Sequence, residues 1–168
     1  RCLIRAGFHK IEKTYPYTIT ITPKMSFGTG HHHTTYLMIK AQMELDHKGK
    51  MVMDAGCGTA ILSIMASKLG AEKVFAFDID EWSVINGKEN LEVNECSNII
   101  LEQGKISELT FDDNFDIILA NINKNILLEE MPQYVAYLNE GGHLLLSGFY
   151  EKDIPDLMQR AHQYQLKH

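Results

Sequence analysis

The chain has 168 residues, 45% of them hydrophobic, enough for one domain with a buried core. Its net charge of −6 argues against a general nucleic-acid binder, which needs a basic face. No apolar run reaches the length of a membrane span, and no signal peptide is recognisable.

Cys2, Cys57 and Cys96 show neither metal nor redox spacing and read as reduced thiols of a cytoplasmic protein. The chain begins at Arg1 and ends soon after a helical pattern, so it is expected to be a fragment of a longer protein.

In chain order, Tyr17-Thr-Ile-Thr-Ile-Thr22 alternates and predicts a strand stopped by Pro23. Phe27 to Thr35 is a glycine- and histidine-rich loop leading into a helix over about 34–44. Apolar runs predict strands at 50–54, 73–78, 98–102, 115–120 and 143–147. Helical patterns fall between and after them, at about 60–69, 81–94, 126–138 and 154–164. In the first of these Ile61, Leu62, Met65 and Leu69 form one apolar stripe before Gly70, and in the third Pro132 is expected to restart the helix. Such alternation predicts an α/β fold: a doubly wound, mostly parallel sheet with helices on both faces. Right-handed crossovers then put a ligand cleft at the carboxyl ends of strands 50–54, 73–78 and 115–120.

Three motifs converge on that cleft. In the first, an apolar run ends in Asp54, and Gly56-Cys-Gly58 opens directly into a helix. The next strand ends in a second acid, Asp78. Glycines admit a ligand close to the backbone, and an acid after the second strand accepts hydrogen bonds from ribose hydroxyls. A dinucleotide site needs a third glycine where Ile61 stands. S-adenosyl-L-methionine has no phosphate and asks only for Asp54, the small residues Gly56 and Gly58, and Asp78. Ala60 stands where a complete Gly-x-Gly-x-Gly turn would end. The competing reading makes Asp54 and Asp78 plain strand-end turn residues.

The second motif is Phe27-Gly-Thr-Gly-His-His-His-Thr-Thr35. Gly28 and Gly30 loosen the backbone, and Thr34 or Thr35 is a natural helix cap whose hydroxyl can also bond the donor's carboxylate. His31, His32 and His33 are adjacent in a loop without an evident fourth ligand, so no metal site is expected. The third motif is Ala120-Asn-Ile-Asn-Lys124. The amide of Asn121 can accept from an incoming amine or donate to the methionine part of the donor. An ordinary strand-end Asn is the alternative.

Together the motifs resemble the bacterial ribosomal protein L-eleven methyltransferase family, over about Ile21 to Gln163. The match rests on Phe27-Gly-Thr-Gly-x-His-x-Thr-Thr35, Asp54-x-Gly-Cys-Gly58, Ile61-Leu62, Lys68-Leu-Gly-Ala71, Asp78-Ile-Asp80, Asn121-Ile122 and Gly141-Gly142 through Ser147-Gly148. The departures are His31-His32-His33 for Thr-His-Pro, Thr59-Ala60 for Ser-Gly, and Asn123-Lys124 for Leu-Ala.

The resemblance implies a Rossmann-like class I methyltransferase that uses S-adenosyl-L-methionine. Its expected cofactor contacts are Thr35, Gly56, Asp78 and Asn121. It implies transfer of methyl groups to protein amines, lysine or amino-terminal, of a large-subunit ribosomal protein, without direct contact to nucleic acid or membrane. Residues 1–16 are then a linker or remnant of an amino-terminal recognition domain, and 17–168 the cofactor-binding domain. Two closing strands of the family's sheet have no clear counterpart before His168, so truncation is expected at both ends. No general base is evident, and Asn121 is the expected catalytic residue, orienting a neutral amine. Three other readings compete: a methyltransferase for another protein or small molecule, a nucleic-acid base methyltransferase, and a non-catalytic NAD-binding module. The second expects Asn-Pro-Pro-aromatic where Asn121-Ile-Asn-Lys124 stands.

Overall fold

The computed structural model describes residues 1–7, 14–22 and 33–167; Phe27, Gly28, Gly30, His31 and His32 lie outside that range. The elements, in chain order, are β1 (Cys2–Ala6), β2 (Tyr17–Ile21), α1 (His33–Gln42), β3 (Met51–Ala55), α2 (Ile61–Lys68) and β4 (Lys73–Asp78). They continue as α3 (Glu81–Val93), β5 (Ile99–Gln103), β6 (Phe115–Asn121), α4 (Lys124–Tyr137), β7 (Leu138–Ser147) and α5 (Ile154–Gln163).

Five strands form one sheet in the order β5-β4-β3-β6-β7, every neighbouring pair parallel. Strands reverse direction of travel across the sheet at β3, with β4 on one side and β6 on the other. That switch opens a crevice beyond their carboxyl ends. Side chains alternate between two cores. Val52, Val74, Ile117 and Leu119 face one core with Ile61, Ile64 and Met65 of α2. Met53, Phe77 and Ile118 face the other with Leu127, Met131 and Tyr134 of α4. Covering both faces explains why the strands read as nearly continuous apolar runs. The fold is the Rossmann-like α/β arrangement that the alternating pattern predicted.

Four details differ from the sequence reading. Helix α2 is not striped: residues Ile61 to Ala66 are all buried, because α1, β2 and the sheet pack around it. Helix α4 begins at Lys124 and runs through Pro132 without a restart. Proline at that position cannot donate to the carbonyl of Leu128, one turn earlier. Arg160 Nε of α5 donates to that carbonyl at 3.3 Å instead. Strand β7 starts at Leu138 rather than His143, with a register shift opposite Phe115–Ile117 and Gly141 at φ 74°. Finally, Cys2–Ala6 forms a strand that pairs in parallel with β2, which the sequence reading did not place.

Strand β2 is fastened to the domain by side chains of α3. Asn86, Asn90 and Asn94 lie four residues apart on one helix face. A carboxamide offers the same donor and acceptor as a peptide group. Asn94 Oδ1 accepts from Thr20 N at 2.9 Å while its Nδ2 donates to Thr20 O at 2.6 Å, as a neighbouring strand would. Asn90 Oδ1 accepts from Thr22 N at 2.9 Å and its Nδ2 donates to Thr59 O at 3.0 Å, tying β2 to the turn after β3. Ile19 and Ile21 are thereby buried against α2 and α3.

Candidate functional site

The turn after β3 is shaped largely by backbone, with Asp78 and Asn90 as its side-chain ties. The amides of Gly56 and Cys57 both donate to the carbonyl of Phe77, at 2.9 and 3.0 Å. Gly56, Gly58 and Ala60 take left-handed φ angles of 67°, 52° and 62°. Glycine adopts these freely, whereas Ala60 pays about 1–2 kcal/mol for the same conformation. A Cβ on Gly56 would run into the side chain of Ile122.

At the end of β4 Asp78 is oriented by two amides. Its Oδ2 accepts from Gly58 N at 2.9 Å and its Oδ1 from Asp80 N at 3.0 Å. Each carboxylate oxygen keeps a second lone pair for a ligand hydroxyl. Asp80 caps α3 through Ser83 N at 2.7 Å.

Beyond the end of β6 the opposite wall begins. Asn121 pairs with Ser147 of β7, and its Oδ1 is buried without a partner among the described residues. Such an oxygen costs about 1–3 kcal/mol until a donor reaches it. Asn123 caps α4, accepting from Ile126 N at 3.2 Å. Gly148, at φ 90°, lies so close to the Ile122 backbone that a side chain there would collide with it. Lys124 Nζ reaches Asp153 Oδ1 at 3.1 Å and Asp156 Oδ2 at 2.8 Å, strapping the start of α4 to the segment before and within α5. Those bonds, to Asp156 first and then Asp153, hold the Lys124 ammonium above its ordinary range. The Tyr150 amide, and then Lys124, hold Asp153 below its own.

Between these walls lies a cavity of about 770 Å³, within the usual size for a small-molecule site. It gathers Gly56, Gly58, Asp78 and Asn121, so four predicted residues come together. Two others stand behind the wall. Thr35 is fully buried within the first described turn of α1, its Oγ1 without a partner among the described residues, and the cavity touches Thr34 instead. Asp54 is fully buried: Ser63 Oγ donates to its Oδ2 at 2.5 Å and its Oδ1 has no partner among the described residues. Burial pushes its carboxyl up to about 7, against the pull of the Ser63 hydrogen bonds. Phe27, Gly28 and Gly30 belong to residues not described.

The sequence reading missed Gly104 and Lys105 after β5, Glu130 on α4, and Phe149 and Tyr150 after β7. The signal for the first pair was their place at a strand's carboxyl end. Among the described residues no cluster of three or more His, Cys, Asp or Glu can hold a metal, and no helix is long and apolar enough to cross a membrane. A larger groove of about 1100 Å³ flanks β7 and α5 but holds none of the motif residues.

The cavity thus presents a carboxylate held by two amides, a glycine turn and a carboxamide oxygen without a partner among the described residues. The family model described as ribosomal protein L11 methyltransferase (PrmA) matches residues 1–168. The ribosomal protein L11 methyltransferase of Phocaeicola vulgatus is 48% identical over 161 residues, covering 96% of this chain and 57% of that protein. The chain therefore spans little more than half the length of such relatives. The crystal structure of the ribosomal protein L11 methylase from Lactobacillus delbrueckii subsp. bulgaricus superposes with a TM-score of 0.89 at 32% identity, over 97% of this chain and 84% of that one. The Trypanosoma brucei PRMT1 enzyme–prozyme complex with AdoHcy has a TM-score of 0.56 at 28% identity, over 67% and 38%. The chain belongs to the ribosomal protein L11 methyltransferase family.

Proposed function

We propose that this domain binds S-adenosyl-L-methionine and transfers its methyl group to an amine of a protein, with ribosomal protein L11 the substrate its family name suggests. The observation that carries the reading is the convergence of Asp78 and Asn121 on one cavity, with an unpaired, buried oxygen on Asn121. Asp78 would hold the ribose, and the turn at Gly56 and Gly58 would let the donor lie against the backbone. The donor supplies an electrophilic sulfonium methyl. The chain's task is to align an amine lone pair with it, so proximity is the main catalytic contribution. A lysine amine, with an ordinary pKa of about 10.4, must first become neutral, and the apolar wall at Ile122 and Ile126 disfavours its charged form. Asn121 Oδ1 would accept a hydrogen bond from the neutral amine and orient it. So oriented, the amine lone pair would take the methyl as the donor's sulfur–carbon bond broke, and water would take the proton left on the product nitrogen. Residues 1–16 we assign to the approach from an amino-terminal recognition domain.

Titration calorimetry tests the cofactor. S-adenosylmethionine and S-adenosylhomocysteine should bind and NAD should not; binding of NAD alone would overturn the reading. Asp78→Ala should weaken cofactor binding about tenfold or more, from loss of charged hydrogen bonds. Methylation of ribosomal protein L11 by the full-length protein tests the substrate. There Asn121→Ala should lower turnover more than cofactor affinity.

A further inference from the structure

The cavity has an end that the sequence motifs leave unassigned. With ribose on Asp78 and the amino-acid tail directed to Asn121, the base projects the other way. The Gly104 amide donates to the backbone carbonyl of Asp78 at 3.0 Å, which sets Gly104 and Lys105 beside the ribose carboxylate. Glu130 lines the same cavity and feels the charge of Lys105, so it faces that end from α4. Its carboxylate is not loose. Tyr134, fully buried one turn further on, donates its hydroxyl to Glu130 Oε2 at 2.5 Å. That bond occupies one oxygen and fixes the rotamer, and leaves Oε1 for whatever enters.

We propose that Glu130, positioned by Tyr134, is a base-specificity residue: its free carboxylate oxygen accepts a hydrogen bond from the 6-amino group of the donor's adenine. The inference deepens the cofactor reading above and rests on it. A carboxylate can only accept, so it welcomes an exocyclic amine and repels the oxygen that replaces it in a 6-oxo purine. Discrimination by a group left unpaired with the wrong ligand is the stronger kind. The charged neighbours are Glu129 and Lys105, of opposite sign, with Tyr134 the titratable partner. Burial chiefly raises the Glu130 carboxyl above its ordinary range; the tyrosine hydrogen bond and Lys105 oppose that, and Glu129 adds to it.

The test is calorimetric, on this chain, with S-adenosylhomocysteine and S-inosylhomocysteine at pH 8. The wild type should prefer the adenosyl ligand by about tenfold to a hundredfold, the range of a hydrogen bond to a charged group. In Glu130→Gln the tyrosine keeps the amide oxygen, so an NH₂ donor faces the base and the preference should collapse or reverse. Glu130→Leu, whose side chain suits a helix whether or not the glutamine variant folds, should lose the preference through weaker adenosyl binding. Equal wild-type affinity for the two ligands, or an unchanged ratio in a folded Glu130 variant, overturns the assignment. A wild type that binds neither ligand overturns the cofactor reading itself, and this inference with it.

Discussion

The two walls of the cavity are built by different means. The wall after β3 and β4 is set by main chain: three left-handed residues, two amides on the Phe77 carbonyl, and Asp78 held by Gly58 and Asp80. The wall after β6 and β7 is set by side chains and one tight contact: Gly148 against Ile122, and Lys124 strapped to Asp153 and Asp156. The first wall is preorganised once the sheet and α3 have formed, whereas the second depends on α5 being docked. Under the proposed function the ribose would be held by the rigid side, and the base and the acceptor would meet the side that can be adjusted.

Substitutions can break that contrast. Gly148→Ala should have the largest effect, a loss of more than about 4 kcal/mol, because φ is 90° and the new methyl meets the Ile122 backbone. Urea unfolding measures it, and a near-neutral result would mean that the second wall yields freely. Next comes Asp54, behind the first wall. Its carboxyl ionises near 7 when folded against an ordinary 3.8, so the folded state binds the proton more tightly. Its contribution is thus greatest at low pH and lost as pH rises toward 7. Between pH 5 and pH 8 that loss is about 3 kcal/mol at most. Asp54→Asn should flatten this part of the stability profile, and an unchanged profile would assign the dependence elsewhere.

Asn90→Ala should cost about 2–3 kcal/mol, since the part-buried Thr22 amide and the buried Thr59 carbonyl each lose a hydrogen bond. It should also weaken cofactor binding by releasing the turn, which calorimetry would detect. Ala60→Gly sharpens the comparison from the other side. Relief of the left-handed alanine is offset by a lost buried methyl and a freer unfolded chain, so the change should stay within about 1 kcal/mol. The smallest effect is expected for Lys124→Met, a modest loss of thermal stability that high salt reduces, because the Asp156 partner is exposed although Asp153 is largely buried.

The difference between the walls also explains what could be read in advance. Gly58 and Asp78 meet across one strand–helix–strand unit, 20 residues apart, and each has a residue type that only that job requires. Asp54 has the same signature, but no spacing rule says that its carboxylate turns inward to Ser63 rather than to the ligand. Lys124 meets its partners 29 and 32 residues away, and a lone lysine in a loop carries no mark of that choice. Glu130 escaped for a similar reason: on a helix it reads as a solvated face until Tyr134 is seen beneath it. Strand β1 is half-buried along its whole length, so it shows no alternation to detect. The asparagines of α3 carry no mark of their role, because their partner is a backbone, which has no side-chain pattern.

Pro132 gives the fold a form of addressing. In a helix every interior carbonyl is already spoken for, and the outside of α4 would otherwise present equivalent docking positions one turn apart. Proline withdraws a single donor and so leaves one acceptor, at Leu128, unlike the rest. Arg160 reads it with Nε, while its Nη1 donates to Gln163 Oε1 and its guanidinium carbon lies over the Tyr164 ring. The register of α5, and through it the strap at Asp153 and Asp156, is thus specified by a gap in the ladder of its neighbour. A helix breaker serves here as a coordinate mark, and Arg160→Lys would keep the charge but lose the planar fork that bonds Leu128 and Gln163 together.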